Sequence, residues 1–298
     1  MIATAAHTRI MTPLGPFHLA EQNRYFGGWT TAAGDGRTIL MAFPVEGWRE
    51  SAAVALRQDD DGTITGTVAG PGDPEAAWRQ ALAVLSLDAD GGGFPAVGRA
   101  DPVIGDLQRR HGYLRPVLFH SPYEAACAFV IAHRMRIVQG RAIRQRLAER
   151  YGAEIPVAGT TVHAFPAPQR LLDIEAVPGL GAEKIARLHG IARAALDGDL
   201  DRARLRGLPL PEALARVRRL RGIGDFFAAG IVLRGAGVVD AVPGDDITRA
   251  GVQRLYRLDA PPTPDRLDTI AEAWTPYRMW CSVLVHVAER RHRAGTGR

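Results

Sequence analysis

Cysteine is scarce in this chain: Cys127 and Cys281 are the two present in 298 residues. Two thiols cannot hold a four-cysteine iron–sulfur cluster. Both sit in apolar, helical surroundings, which suit buried, inert thiols. No Cys/His spacing matches a zinc site. Lysine is rarer still, with Lys184 the only one, so nearly all the basic charge is arginine. The N-terminal run MIATAAHTRIMTPLG has no long apolar segment, and no stretch reaches membrane-spanning length. These absences set the expectations of no metal, no membrane and a reducing cytoplasm.

What is there is an apolar fraction of 46%, enough for a sizeable core and for two domains. The net charge of +5 and sequence pI of about 9.7 suit a polyanionic partner. Up to about residue 100 the chain reads as strands at Gly15–Phe26, Arg37–Val45, Ala52–Gln58 and Gly62–Ala69. Turns at Ala33–Gly36 and Asp59–Gly62 separate them. A helix follows from Pro74 to Leu87, capped by Asp73 and broken at Gly91–Gly93. Beyond Pro102 the patterning is helical. Ser121-Pro122-Tyr123-Glu124 is a capping box opening a helix towards Ala132. Further helices are predicted over Ile137–Tyr151, Ala182–Leu196, Leu200–Arg204 and Pro211–Arg219. Asp265–Arg293 reads as one long helix or two, with Pro276 starting the last.

The stretch Leu220–Tyr256 carries the chemistry. Leu220-Arg221-Gly222-Ile223-Gly224 is a tight hairpin, where the glycines supply backbone freedom and Ile223 can pin the turn to a core. The helix expected from Asp225 to Gly235, with Asp225 as N-cap, would aim unpaired N–H groups outward as a phosphate seat. The loop Ala241-Val242-Pro243-Gly244-Asp245-Asp246 then leads into another helix. Asp245 suits the N-cap there as well as a chemical role.

In order and spacing, hairpin, loop and acidic pair resemble the helix-hairpin-helix superfamily of DNA glycosylases. Arg221 stands where that family usually has proline. Anchoring the loop on Pro243 puts Asp245 at the family's catalytic aspartate, whereas anchoring on Ile247 and Arg249 puts Gly244 there; Asp246 is the alternative carboxylate. The linker Phe165-Pro166-Ala167-Pro168 and the run Trp274-Thr275-Pro276-Tyr277-Arg278 resemble the family too, the latter its alkylation-repair (3-methyladenine DNA glycosylase II) branch. Pro178-Gly179-Leu180-Gly181 looks like a second hairpin.

The resemblance implies an α+β fold. An N-terminal antiparallel β-sheet domain with a helix (1–112) would precede an all-α helix-hairpin-helix glycosylase domain (113–298). It implies a monomer acting on double-stranded DNA with damaged bases, cytoplasmic and nucleoid-associated, in base excision repair. Leu220, Arg221, Gly222, Ile223 and Gly224 would grip phosphates, and Arg134, with Met135 beside it, would fill the gap left by a flipped base. Phe226, Trp274 and His286 are the base-pocket candidates, although Trp274 and Trp280 suit a core better and His286 suits a surface at least as well. No cofactor is expected; relatives often hold a monovalent cation at the hairpin.

An N-glycosidic bond breaks through a sugar with oxocarbenium character, which one carboxylate can stabilise while orienting water. Bifunctional relatives carry a lysine where this chain has Phe226, which implies a monofunctional enzyme without lyase activity. Three readings stay open: a glycosylase for alkylated purines (3-methyladenine, 7-methylguanine), one for hypoxanthine or an oxidised purine, or a non-catalytic DNA-binding module.

Overall fold

The computed structural model describes residues 6–26, 31–32 and 37–296. The expected turn at Ala33–Gly36 lies outside them. The N-terminal part holds β1 (His7–Met11), α1 (Leu19–Phe26), β2 (Thr31–Ala32), β3 (Thr38–Pro44), β4 (Ser51–Gln58), β5 (Ile64–Ala69) and α2 (Pro74–Val84). Then come α3 (Phe94–Ala100), α4 (Pro102–His111), α5 (Pro122–Ala132), α6 (Ile137–Tyr151), β6 (Glu154–Val157), β7 (Thr160–His163) and α7 (Pro168–Leu172). The remainder is α8 (Ala182–Leu196), α9 (Arg202–Gly207), α10 (Leu210–Arg218), α11 (Asp225–Gly230), a π-turn (Ile231–Ala236), α12 (Asp246–Leu255), α13 (Pro264–Ala271), a 3-10 turn (Glu272–Trp274) and α14 (Arg278–Thr296). The fold class is α+β, as expected.

The five strands β1 to β5 make an antiparallel sheet in the order β1-β5-β4-β3-β2. Its strands alternate with period two, so each face buries its own set. Ile39, Met41, Phe43, Val54 and Leu56 pack on Ala77, Trp78 and Val84 of α2. Leu40, Ala42, Ala53 and Ala55 face away from that helix and meet Ile155 and Val157 of β6. The helix expected on one face is thus joined by a β6–β7 hairpin on the other. Its two-residue loop, Ala158-Gly159, has positive φ at both positions, the mirror-image turn that matches strand twist.

Other local expectations need correction. Gly15–Phe26 holds α1 rather than a strand. Leu19 and Gln22 of α1 are both buried, one turn apart, and Gln22 Nε2 donates to the Tyr113 carbonyl at 2.7 Å. At α5, Ser121 Oγ accepts from the Glu124 N–H, but the Glu124 carboxylate turns away to His120 and Arg144, so only half the capping box forms. Asp225 is not an N-cap: Gly224 takes that place, and the Asp225 carboxylate pairs with Arg218 at 2.8 Å. The helix expected from 225 to 235 is α11 plus the π-turn. The final helix opens at Arg278, two residues past Pro276.

Two helical clusters complete the core. One gathers α5, α8, α10, α11 and the π-turn, and buries Ile223 of the hairpin. The other packs α3, α4, α12 and α13 against α14, with Trp274 and Trp280 inside it. Gly230 at the end of α11 and Gly235 in the π-turn let both approach α5 closely: a Cβ there would lie 2.4 Å from the Phe129 ring and 2.9 Å from Pro122 Cα, respectively. No helix among the described residues is long and apolar enough to cross a membrane.

Candidate active site

A cleft of about 680 Å³ opens between α11, the π-turn, the 243–247 loop and α14. Asp245 sits on its wall as N-cap of α12. One carboxylate oxygen accepts the Ile247 and Thr248 N–H groups at 2.9 and 3.1 Å. The other accepts the Thr248 hydroxyl at 2.9 Å and lies 3.1 Å from His286 Nε2. His286 Nε2 is also 2.8 Å from Thr248 Oγ1. The single hydroxyl proton of Thr248 is used on Asp245, so the imidazole must carry a proton on Nε2 for this triangle to close.

These contacts decide the charge of Asp245. Burial alone would raise its carboxyl, but the His286 bond and charge, with the Thr248 donors, outweigh burial and hold it at about 2. The carboxylate is therefore ionised throughout the neutral range, and its side chain is still 21% exposed. Relative to the ordinary value of 3.8, ionised Asp245 favours the folded state above that value, and this is lost as pH falls through about 2. Replacing His286 with alanine should raise the Asp245 carboxyl, read as a carboxyl-carbon NMR titration. An unchanged titration would remove His286 from any role in setting that charge.

The other expected site residues divide. Phe226 lines the cleft and is 67% exposed. Gly222 has φ +86° with the Arg187 side chain packed beneath it, so the turn needs glycine there. Leu220 packs on the helical core and Ile223 is buried in it, so at Ile223 only backbone faces outward. Arg221 is exposed, 3.2 Å from Glu183, and Gly224 is exposed at the head of α11. Arg134 is exposed at φ +54°, the outward apex of its turn, whereas Met135 packs inward against the core.

Trp274 is a correction. It is fully buried, and its indole N–H donates to Asp101 at 3.1 Å and Tyr256 at 3.0 Å. An indole with its polar end satisfied inside the core has nothing left to offer a pocket, and it does not line this cleft. Asp246 lines the cleft but is exposed.

Several cleft residues were not anticipated. Arg234 and Arg290 both line it. Burial, reinforced by the neighbouring Arg290 charge, lowers the Arg234 guanidinium to about 10, with Asp245 opposing the shift. Arg290 stands one helical turn past His286, a spacing readable in sequence; Arg234 depends on the π-turn register, which is not. Exposed Ile137 and Val138 follow the Arg134 turn. Lys184 is not in the cleft. Its amine donates to the carbonyls of Ile131 and His133 at 2.7 and 2.8 Å and ties off α5. Burial, then the charges of Arg134, Lys184 and Arg187, lower the His133 imidazole, so this turn sits in positive potential.

A glycine hairpin thus lies beside a cleft walled by an N-capping carboxylate, and the fold resembles that of DNA glycosylases of known structure. No family model matches the chain. In sequence it is similar to DNA-3-methyladenine glycosylase of Bacillus subtilis, 24% identical over 207 residues covering 66% of this chain and 67% of that protein. In structure it is similar to 3-methyladenine DNA-glycosylase from Archaeoglobus fulgidus, with a TM-score of 0.76, 20% identity and coverage of 95% of this chain and 98% of that one. It is similar also to MBOgg1 in complex with a low-affinity DNA ligand, with a TM-score of 0.74, 17% identity and coverage of 98% and 99%. The 8-oxoguanine glycosylase/lyase of Clostridium acetobutylicum, in complex with duplex DNA, follows at a TM-score of 0.70, 14% identity and coverage of 97% and 98%.

Proposed function

We propose that the protein is a monofunctional DNA glycosylase that removes alkylated purines, 3-methyladenine and 7-methylguanine, from double-stranded DNA. The observation that carries this reading is the Asp245 carboxylate on the wall of a cleft next to the hairpin, held by Ile247, Thr248 and His286. A base cannot be cut inside the stack, so the nucleotide is turned out into the cleft. The carboxylate faces the sugar, stabilises its oxocarbenium character and orients the attacking water. Gly222, Gly224 and the head of α11 hold phosphates through backbone N–H groups, and Arg134 enters the gap in the duplex. Phe226 stacks on the everted base.

No lysine lines the cleft, and the amine of Lys184, the only lysine, is engaged by two carbonyls. This supports hydrolysis without strand cutting. Arg234, Arg290 and His286 in the cleft wall support a second reading. Guanidinium groups repel a cationic alkylated base, and a neutral purine with carbonyl acceptors, such as hypoxanthine, would suit them better.

Duplexes carrying 7-methylguanine, 3-methyladenine, hypoxanthine or 8-oxoguanine, each scored with and without alkali, test both. Release of methylated purines, with strand breaks only after alkali, is expected. Release of hypoxanthine alone would select the second reading. Strand breaks without alkali would end the claim of monofunctional chemistry, and tight binding with no base released would leave a DNA-binding module.

A further inference from the structure

A second cavity, of about 440 Å³, lies on the other side of α5 from the cleft. α5 turns Phe129 towards α11, Pro122 and Ala125 towards the π-turn and Glu124 towards α6, where Arg144 Nη2 is 3.4 Å from its carboxylate. The cavity is walled by β3, β7, α5 and α6, and His120, Arg141, Arg144 and His163 line it along with Leu40 and Phe165. None of these six residues lines the cleft beside Asp245.

Its polar groups are unevenly satisfied. His120 is 5% exposed, with Nδ1 3.1 Å from Glu124 Oε2. A proton on Nδ1 is needed there, which leaves Nε2 of the neutral ring as an acceptor. That Nε2 is buried and has no partner among the described residues, and the same holds for His163 Nδ1. Arg141 is exposed and has no ion pair or hydrogen bond among the described residues. Burial lowers the Arg144 guanidinium; Glu124 opposes that shift and the nearby Arg141 charge deepens it. Two cations and two imidazoles therefore share one wall with a single carboxylate between them.

We propose that this cavity binds a small phosphate monoester, its phosphate held by Arg141 and Arg144 and its body resting on Leu40 and Phe165. A phosphate monoester has enough acceptor oxygens for two guanidinium forks. While singly protonated it also has an O–H for the His120 acceptor nitrogen. A backbone phosphodiester of DNA has no such proton to give. The volume lies within the range of about 300–1,000 Å³ that small ligands occupy, so a nucleoside monophosphate is of suitable size.

Titration calorimetry on the full-length protein with AMP, and with inorganic phosphate as a smaller probe, tests this without any lesion substrate. One AMP site is expected, with phosphate weaker. Arg141→Ala should weaken AMP binding by about tenfold or more, the loss of one charge-assisted contact, and His163→Ala should weaken it too. Arg141 lies outside the cleft, so Arg141→Ala should leave base excision unchanged. No heat with either probe would overturn the proposal. Affinity unchanged in both variants would overturn it as well, since the anion would then sit elsewhere. Displacement of AMP by undamaged duplex would assign the cavity to the DNA backbone and overturn it too.

Discussion

Asp245→Asn should lower base excision about a thousandfold while leaving duplex binding within a few-fold of the parent protein. At about 4 Å and an effective dielectric near 20, a carboxylate attracts the sugar cation by roughly 4 kcal/mol, which corresponds to about three decades of rate. The substitution removes that charge and little else. Asparagine is among the best N-caps, so its amide oxygen can keep the Ile247 and Thr248 N–H groups that Asp245 accepts. Thr248 and His286 must then reverse their donor roles towards the new amide. The melting temperature should therefore stay near that of the parent. Single-turnover excision and binding to an abasic analogue separate the two effects. Excision within tenfold of the parent, with a large loss in Asp246→Asn instead, would move the chemistry to the exposed neighbour.

The hairpin and its loop were legible because short-range chemistry dictates them. Gly222 is demanded by its backbone angle, and Asp245 by the cap it forms. The Ala182–Leu196 helix follows the same logic, since its apolar stripe of Ile185, Leu188, Ile191 and Ala192 is a local pattern that burial preserves. Trp274 shows where that logic stops. Whether an indole faces a pocket or a core depends on Asp101, which lies 173 residues away in sequence and takes its N–H. Arg234 is similar: the π-turn shifts the helical register by a residue, and no residue type in Ile231–Ala236 announces it. The strand β1 pairs at the sheet edge with little apolar alternation, and the β6–β7 loop uses Ala-Gly in place of the usual Asn-Gly or Asp-Gly.

The largest stability loss is expected at Arg115→Ala. Arg115 is fully buried, yet no carboxylate pairs with it within salt-bridge distance among the described residues. Its guanidinium instead donates to backbone carbonyls of Leu14, Pro16, Ser86 and Ala89 and lies 4.8 Å from the Trp280 ring centroid. One side chain thus joins the segment before α1, the end of α2 and the final helix. Burial lowers this guanidinium to about 10, a measure of the cost of keeping it inside, which the four carbonyls and the ring offset. Alanine leaves those carbonyls without their donor and opens a cavity, together about 3 kcal/mol or more. For a chain of this size that lowers the melting temperature by roughly 5 °C. Arg115→Met would restore volume without donors and should fall between. The effect should reach the cleft, because the next residues, Pro116 and Val117, form part of its wall and the Val117 carbonyl holds Arg234 at 3.0 Å. If Arg115→Ala melted with the parent, the carbonyl contacts would be incidental, and the wall of the cleft would need another anchor.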